Sequence, residues 1–505
     1  MSVREPTPEQ RAAIEAEGEV LVSASAGSGK TFVMVEKLIR LILTEKADVS
    51  SVLAVTFTNL AAAEMKERLR QALVARINTE TDAEVRKRLK EQLSEIATSD
   101  ISTVHSFCTN VIRRYFYESG LAGNFRIADD QEADKLKDRA VSATFDALLE
   151  GGDEQFLLLC RAYAGSRGFS KLKDVLLRSY NKVVARAEYS QFLCSLPQMY
   201  NAENFSKVAQ EVFSPVKVSA QWLKDRCEEL IPQVKEFIET GIFTVKHEEF
   251  LAERRALAER ILACDDVFGC AQLLGGLSLS SKPRNTSVKK SGDARAMELD
   301  DALASLKGRI DGMKKAVSEI SDREQEFAAF MDSGKIAAAL GALLLAFDEN
   351  YARLKRRAGV LDFSDLEHKC LELLSLPHVR DEVRARYKYV FIDEYQDVNP
   401  VQEKILSLVA GENVFMVGDA KQSIYGFRGC SAAFFTQKFA LLQKTGKALT
   451  LNGNFRSCAN VLDAVNDLFS QAMTEKSCSI DYKGTAMMRA GSTAQEGGEV
   501  HIEFV

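Results

Sequence analysis

LVSASAGSGKT, residues 21–31, reads as a short apolar strand that breaks into a loop of small residues and ends on Lys30 and Thr31. A phosphate-binding loop of the Walker A kind asks for a glycine, four variable positions and then Gly-Lys-[Ser/Thr]. Successive backbone N–H groups must turn inward around an anion, while the lysine reaches phosphate oxygens and the hydroxyl takes Mg²⁺. Ala24 stands at the first position, and Gly27, Gly29, Lys30 and Thr31 fill the others. Beyond it Phe32, Val33, Val35, Leu38, Ile39, Leu41 and Ile42 recur at helical spacing, so the loop opens a helix whose N-terminus adds positive potential at the phosphates. Ser25, Ala26, Gly27, Ser28, Gly29, Lys30 and Thr31 are therefore the expected cradle for a nucleotide and Mg²⁺, and the loop alone does not say which nucleotide.

Working outward, further apolar runs alternate with helical stretches. Val52–Phe57 (VLAVTF), Ile101–Val104, Tyr389–Asp393 (YVFID), Val414–Gly418 (VFMVG) and Leu449–Leu451 read as buried strands, and 61–76 reads as a long helix. This alternation predicts an α/β fold: a P-loop NTPase domain with a parallel sheet and helices on both faces. From Glu118 to Leu340 the strand signal almost vanishes, which predicts a large all-helical insertion. The expected organisation is a nucleotide-binding domain from 1–117 and 341–448, an insertion at 118–340, and the start of a further domain at 449–505. Within the insertion, Gly275–Gly292 reads as a mobile loop whose Lys282, Arg284, Lys289 and Lys290 are solvated. At the end of the chain, Glu499–Val505 (EVHIEFV) alternates like a strand.

The 505 residues carry a net charge of −6, which excludes a histone-like binder but leaves room for a basic and aromatic lining confined to one groove. Ten cysteines form no C-x-x-C pair, so reduced, packed thiols are the expectation and a metal cluster drawing on Cys264 and Cys270 the weaker reading. The N-terminus is charged and polar, and no apolar run approaches the ~18 residues of a membrane span. A soluble, cytoplasmic protein with no membrane partner is expected.

A phosphate loop needs an acidic partner at a strand end. Asp393 and Glu394, after the strand VFI, supply a Mg²⁺ ligand and a group to polarise water. Gln422, in the run after Gly418, can reach the γ-phosphate. Just beyond it, Ser423-Ile-Tyr-Gly-Phe-Arg-Gly429 interleaves aromatics with a cation, a composition suited to stacking on unpaired bases at ~1–3 kcal/mol each. Asn454-Phe-Arg-Ser457 offers another arginine and aromatic.

The ordered set TPEQ (7–10), SASAGSGKT (23–31), TFTNLAAAEM (56–65), STVHSF (102–107), LDFSDLE (361–367), FIDEYQD (391–397), VGDAKQSIYGFRG (417–429) and LNGNFRS (451–457) resembles the UvrD/Rep-type superfamily 1 DNA helicases. Within them, residues 101–133 look most similar to the AddA group, the helicase-nuclease subunits of bacterial AddAB complexes, with RecB a close relative. The resemblance implies RecA-like domains and 3′-to-5′ translocation on single-stranded DNA from DNA ends. It also implies a role in double-strand-break repair beside an AddB-type partner subunit. It implies that Gln10 reads the adenine edge, Phe455 stacks on the adenine, Thr31 and Asp393 hold the metal, and Lys30, Asp393, Glu394, Gln422 and Arg456 serve hydrolysis. Phe57, Thr58, Asn59, Thr103, His105, Tyr425, Phe427 and Arg428 fall at positions that grip single-stranded DNA.

Departures are Leu60, where many relatives carry Lys or Ala, and Phe427, where several carry Trp. No motif V, arginine-bearing motif VI or nuclease carboxylate cluster follows Ser457. The expectation is an N-terminal piece of a longer protein that binds nucleotide weakly and hydrolyses it poorly.

Overall fold

The computed structural model describes residues 5–44, 46–121, 124–163, 168–426, 429–430, 432–473 and 482–491. The expected strand at 499–505 lies outside them.

Six strands, β1 (Val20–Ala24), β2 (Val52–Thr56), β3 (Asp100–Thr103), β4 (Tyr389–Ile392), β5 (Val414–Gly418) and β6 (Ala448–Leu451), form one sheet in the order β3-β2-β4-β5-β1-β6. Every pairing is parallel. The strands read as continuous apolar runs because both faces are covered, and two separate buried clusters lie against them. One holds Val104, Phe107, Leu366 and Leu373; the other holds Val33, Met34, Ile39, Leu69 and Phe415. The α/β expectation is met. Since β6 pairs with β1 as Leu21–Ala448 through Ala24–Leu451, the sheet runs past the expected boundary at 448.

The helices that position the site are α1 (Pro8–Glu15), which precedes β1, and α2 (Lys30–Leu43), α3 (Asn59–Thr79), α4 (Val104–Arg114) and α5 (Phe363–Ser375), each of which follows a strand. Thr7, Thr58, Thr103 and Asp362 cap four of them by accepting first-turn N–H groups.

The chain divides into two compact units, residues 1–151, 164–189 and 344–505, and residues 152–163 and 190–343. The second is all helical, with a core built on the helices Ala202–Glu239, Val245–Leu262 and Ala294–Val317. There the expected mobile loop is tied down. Arg254, buried, donates to the Ser280 carbonyl, Asn285 Nδ2 donates to the Ile242 carbonyl at 3.0 Å, and Lys314 donates to the Leu277 carbonyl at 3.2 Å. Lys282 pairs with Asp300 at 2.6 Å rather than standing solvated. The sequence pattern missed this because the anchoring partners lie 26–43 residues away.

The helix Arg323–Ala358 is, by length and composition alone, long and apolar enough to cross a membrane, a stretch the sequence reading passed over because a few charges interrupt it. Its Phe347 and Tyr351 are fully buried in the first unit.

Candidate functional site

The nucleotide side is built on three neighbouring strands. β4, β5 and β1 lie side by side and end at one edge of the sheet, delivering Asp393 and Glu394, the 419–422 turn and the 25–31 loop respectively. Gly27 (φ 71°) and Gly29 (φ 87°) take the left-handed conformation the loop requires. A side chain at Gly27 would also collide with Asn454. Asn454 is the anchor here: its Nδ2 donates to the Ala26 carbonyl at 2.8 Å, and its Oδ1 accepts the N–H groups of Arg456 and Ser457, each at 2.8 Å. The Phe455 N–H donates to the Gly27 carbonyl at 2.9 Å, so the 453–457 segment is stitched to the loop. Between them lies a cavity of about 310 Å³ lined by Pro8, Gln10, Ser28, Gly453, Phe455 and Gly491. Gln10 closes it while Nε2 donates to the Ser28 carbonyl at 2.9 Å and Oε1 accepts the Thr7 N–H at 3.1 Å.

Opposite the loop, Lys30 Nζ straddles the Glu394 carboxylate at 2.9 and 2.8 Å. Glu394 has φ 49°, the one left-handed non-glycine among the described residues, a conformation that costs ~1–2 kcal/mol and aims its carboxylate back at the loop. Burial first, and Glu394 second, push the Asp393 carboxyl up to about 6, a proton affinity that a bound divalent cation would displace. Ser28 Oγ is buried without a partner in the same cradle. These donors suit a nucleotide with its metal. Gln422 Nε2 donates to Asp419 at 2.8 Å, and Lys421 reaches Asp419 at 2.8 Å and Ser25 Oγ at 3.4 Å, placing a second ammonium at the loop that the sequence reading passed over.

The two strands on the other side of β4 end at the same edge of the sheet but serve a separate groove. β2 and β3 lead into a groove of about 610 Å³ that includes Phe57, His105, Tyr180, Phe363, Glu367 and Asp397 in its lining. Phe57 and Tyr425 pack against each other with ring centroids 4.5 Å apart and planes inclined by 31°, so the two expected base platforms are in contact. His105 Nε2 lies 3.0 Å from the buried Glu367, which also accepts from Asn399 Nδ2 at 3.1 Å and Gln402 Nε2 at 2.6 Å. The Phe363 ring sits 4.8 Å from the His105 ring. Thr58 and Asn59 are exposed at the start of α3, whereas Thr103 is buried and its hydroxyl is committed to capping α4. Phe427 and Arg428 lie outside the described residues. Glu367, Asn454 and Gln396 were not singled out as site residues in sequence, although each lies inside a motif: LDFSDLE, NGNFRS and FIDEYQD.

The UvrD/REP helicase N-terminal domain profile matches residues 6–440. Proteins named as the A-type subunits of ATP-dependent helicase/nucleases are similar over almost the whole chain. The one from Anoxybacillus flavithermus is 32% identical over 99% of this chain and 43% of its own length. That from Clostridium novyi is 32% identical over 99% and 42%, and that from Bacillus licheniformis 33% over 96% and 41%. The chain thus spans about two-fifths of the length of these relatives. With a phosphate loop, an acidic strand end and an aromatic groove on one sheet edge, and a family match over most of its length, this chain belongs to the UvrD/Rep helicase family.

Proposed function

We propose that the chain is the ATP-dependent motor of a 3′-to-5′ DNA helicase, part of a helicase-nuclease subunit that processes broken DNA ends for recombination with an AddB-type partner. The observation that carries this reading is the convergence of Lys30, Asp393, Glu394 and the Gln422 turn at the ends of three adjacent parallel strands, with an aromatic groove at the ends of the next two. ATP with Mg²⁺ supplies the phosphoryl chemistry when bound.

The chain's residues have separable tasks. Gln10 and Phe455 bound the base pocket, and Ser25 through Thr31 present main-chain N–H groups to phosphates. Thr31 and Asp393 would hold the metal, Lys30, Gln422 and Arg456 would face the phosphates, and Glu394 would orient the attacking water. Phe57, Thr58, Asn59, His105 and Tyr425 hold the strand, with Thr103 setting the turn that presents His105.

A second reading, a nucleotide- and DNA-binding module without efficient turnover, is favoured by one contact. Glu394 already has both oxygens engaged by Lys30, and Oε2 by Gln396 as well, so three of its roughly four acceptor sites are taken until phosphates draw the ammonium away. The deciding experiment measures ATP binding, ATP hydrolysis and unwinding of a duplex with a 3′ single-stranded tail, for the chain and for a version lengthened to the extent of its relatives. The motor reading expects ATP binding that Lys30→Ala weakens and unwinding by the lengthened protein. It fails if the lengthened protein with its natural partner separates no strands.

A further inference from the structure

β4 stands between the nucleotide strands and the groove strands, so any message between the two sites must cross the segment that follows it. That segment is Glu394-Tyr-Gln-Asp397, and its centre is Gln396, 2% exposed. The Gln396 Nε2 donates to Glu394 Oε2 at 2.8 Å and approaches Asp397 Oδ2 at 3.4 Å. Its Oε1 accepts the Asp419 N–H at 2.8 Å, and its main-chain carbonyl accepts Ser423 Oγ at 3.2 Å. One buried residue thus links three parts of the site: its side-chain amide is bonded to the water-orienting carboxylate and to the turn that carries Gln422, and its main-chain carbonyl to the loop that carries Tyr425. The Asp397 carbonyl, next along, accepts Cys430 Sγ at 2.8 Å, which fastens the far end of the same loop.

The fit around this amide is tight. A Cβ on Gly418 would run into Gln396 Oε1, while standing 3.1 Å from the Tyr395 N, so β5 can pass only because that position lacks a side chain.

Tyr425 supplies the other half of the argument. Its ring occupies the face of Phe57 at 4.5 Å, and a base that stacks on Phe57 must move that ring, since two stacked layers with a base between them need about twice the usual stacking separation. Moving Tyr425 pulls on Ser423, and Ser423 is bonded to Gln396.

We propose that Gln396 is the positioning residue that couples the groove to the nucleotide site: displacement of Tyr425 by a base shifts the Gln396 amide, and with it the Glu394 carboxylate that competes for Lys30. This rests on the nucleotide and strand assignments above. Coupling is reciprocal, so the proposal predicts that single-stranded DNA changes ATP affinity and ATP changes DNA affinity by the same factor.

The test measures equilibrium binding of ATP with Mg²⁺, in the absence and presence of a saturating short oligothymidylate, for the purified chain and for Gln396→Ala and Gln396→Glu. The glutamate variant keeps an acceptor for the Asp419 N–H but turns an oxygen toward Glu394. The native chain is expected to show an ATP affinity ratio of about 5- to 150-fold, and both variants a ratio near one. A merely structural role would weaken both affinities and leave the ratio intact, which would overturn the proposal. A native ratio of one overturns it as well. Loss of folding in Gln396→Ala leaves the near-isosteric glutamate variant to decide. Failure of the native chain to bind ATP or the oligonucleotide at all would instead sink the nucleotide or strand assignment itself.

Discussion

The nucleotide cradle and the strand groove occupy the same edge of one sheet, yet they are built from different materials. The cradle is made of main chain: left-handed Gly27, Gly29 and Glu394, with Asn454 stitching the 453–457 segment to the loop. The groove is made of side chains that partner one another, Phe57 with Tyr425 and His105 with Glu367 and Phe363. An anion demands fixed dipoles, and fixed backbone supplies them without reorganisation. A base that must be gripped and released again is better served by rings that can exchange one stacking partner for another.

The sharpest way to break this contrast is Lys30→Ala. It removes a charged contact to phosphate, so ATP binding should weaken by ~10- to 150-fold, equivalent to about 1.5–3 kcal/mol. Oligothymidylate binding without nucleotide should stay unchanged in a filter or anisotropy assay. A parallel fall in both would show that the two sites are one.

Asp393 tests whether the cradle is held against its own stability. Its carboxyl lies at about 6 when folded against 3.8 when free, so the folded state keeps a proton that the unfolded state releases. Below the lower value both states are protonated and nothing is lost. Stability should then fall as pH rises between the two values, by an amount of order 2–3 kcal/mol from this group, and stay level above the higher one. Urea unfolding across that window should show a flatter profile for Asp393→Asn; an unchanged slope would remove Asp393 as the source.

Phe57→Ala sharpens the groove side. Losing a base stack costs ~1–3 kcal/mol, but the free protein also loses its Phe57–Tyr425 pair, worth ~0.5–1.5 kcal/mol, which offsets part of it. The net weakening of oligothymidylate binding should be a few-fold, with ATP affinity in the absence of DNA intact. Full loss of binding would mean that Tyr425 does not compete for that face. Smallest of all, Glu367→Gln keeps an acceptor for His105 while weakening the charge-assisted bonds from Asn399 and Gln402. Strand binding should drop by about two- to fivefold, as expected for ~0.5–1 kcal/mol.

The same contrast explains what could be read from sequence. β1 with its loop, β4 with its acids and β5 were legible because backbone-made sites impose spacing: glycines where φ must be positive, apolar runs where both faces are covered. Gln396, Asn454 and Glu367 were not, because their roles depend on partners at Asp419, Ala26 and His105, up to 428 residues distant in sequence. One boundary slipped for a related reason: the expected end of the first domain falls at 448 although Leu449–Leu451 read as a strand, and it is the register of β6 against β1 that ties this strand to the same sheet. The 275–292 segment looked mobile for its Gly, Ser and Lys content, and is held by contacts to residues such as Arg254 and Ile242.

The strand order also sets a schedule. Until Tyr389 to Gly418 exist, β1 and β2 are not neighbours: β4 and β5, both still unmade, are what separate and join them. At ~5–20 residues per second, the ribosome needs roughly a quarter of a minute to a minute to travel from the end of β3 to the start of β4. Throughout that interval the apolar β2 has an unpaired edge on the side β4 will take, and β1 is waiting for both of its partners. A nascent chain of this kind should be a strong client for chaperones that shield apolar strands during synthesis, released only when the acids of the nucleotide site emerge.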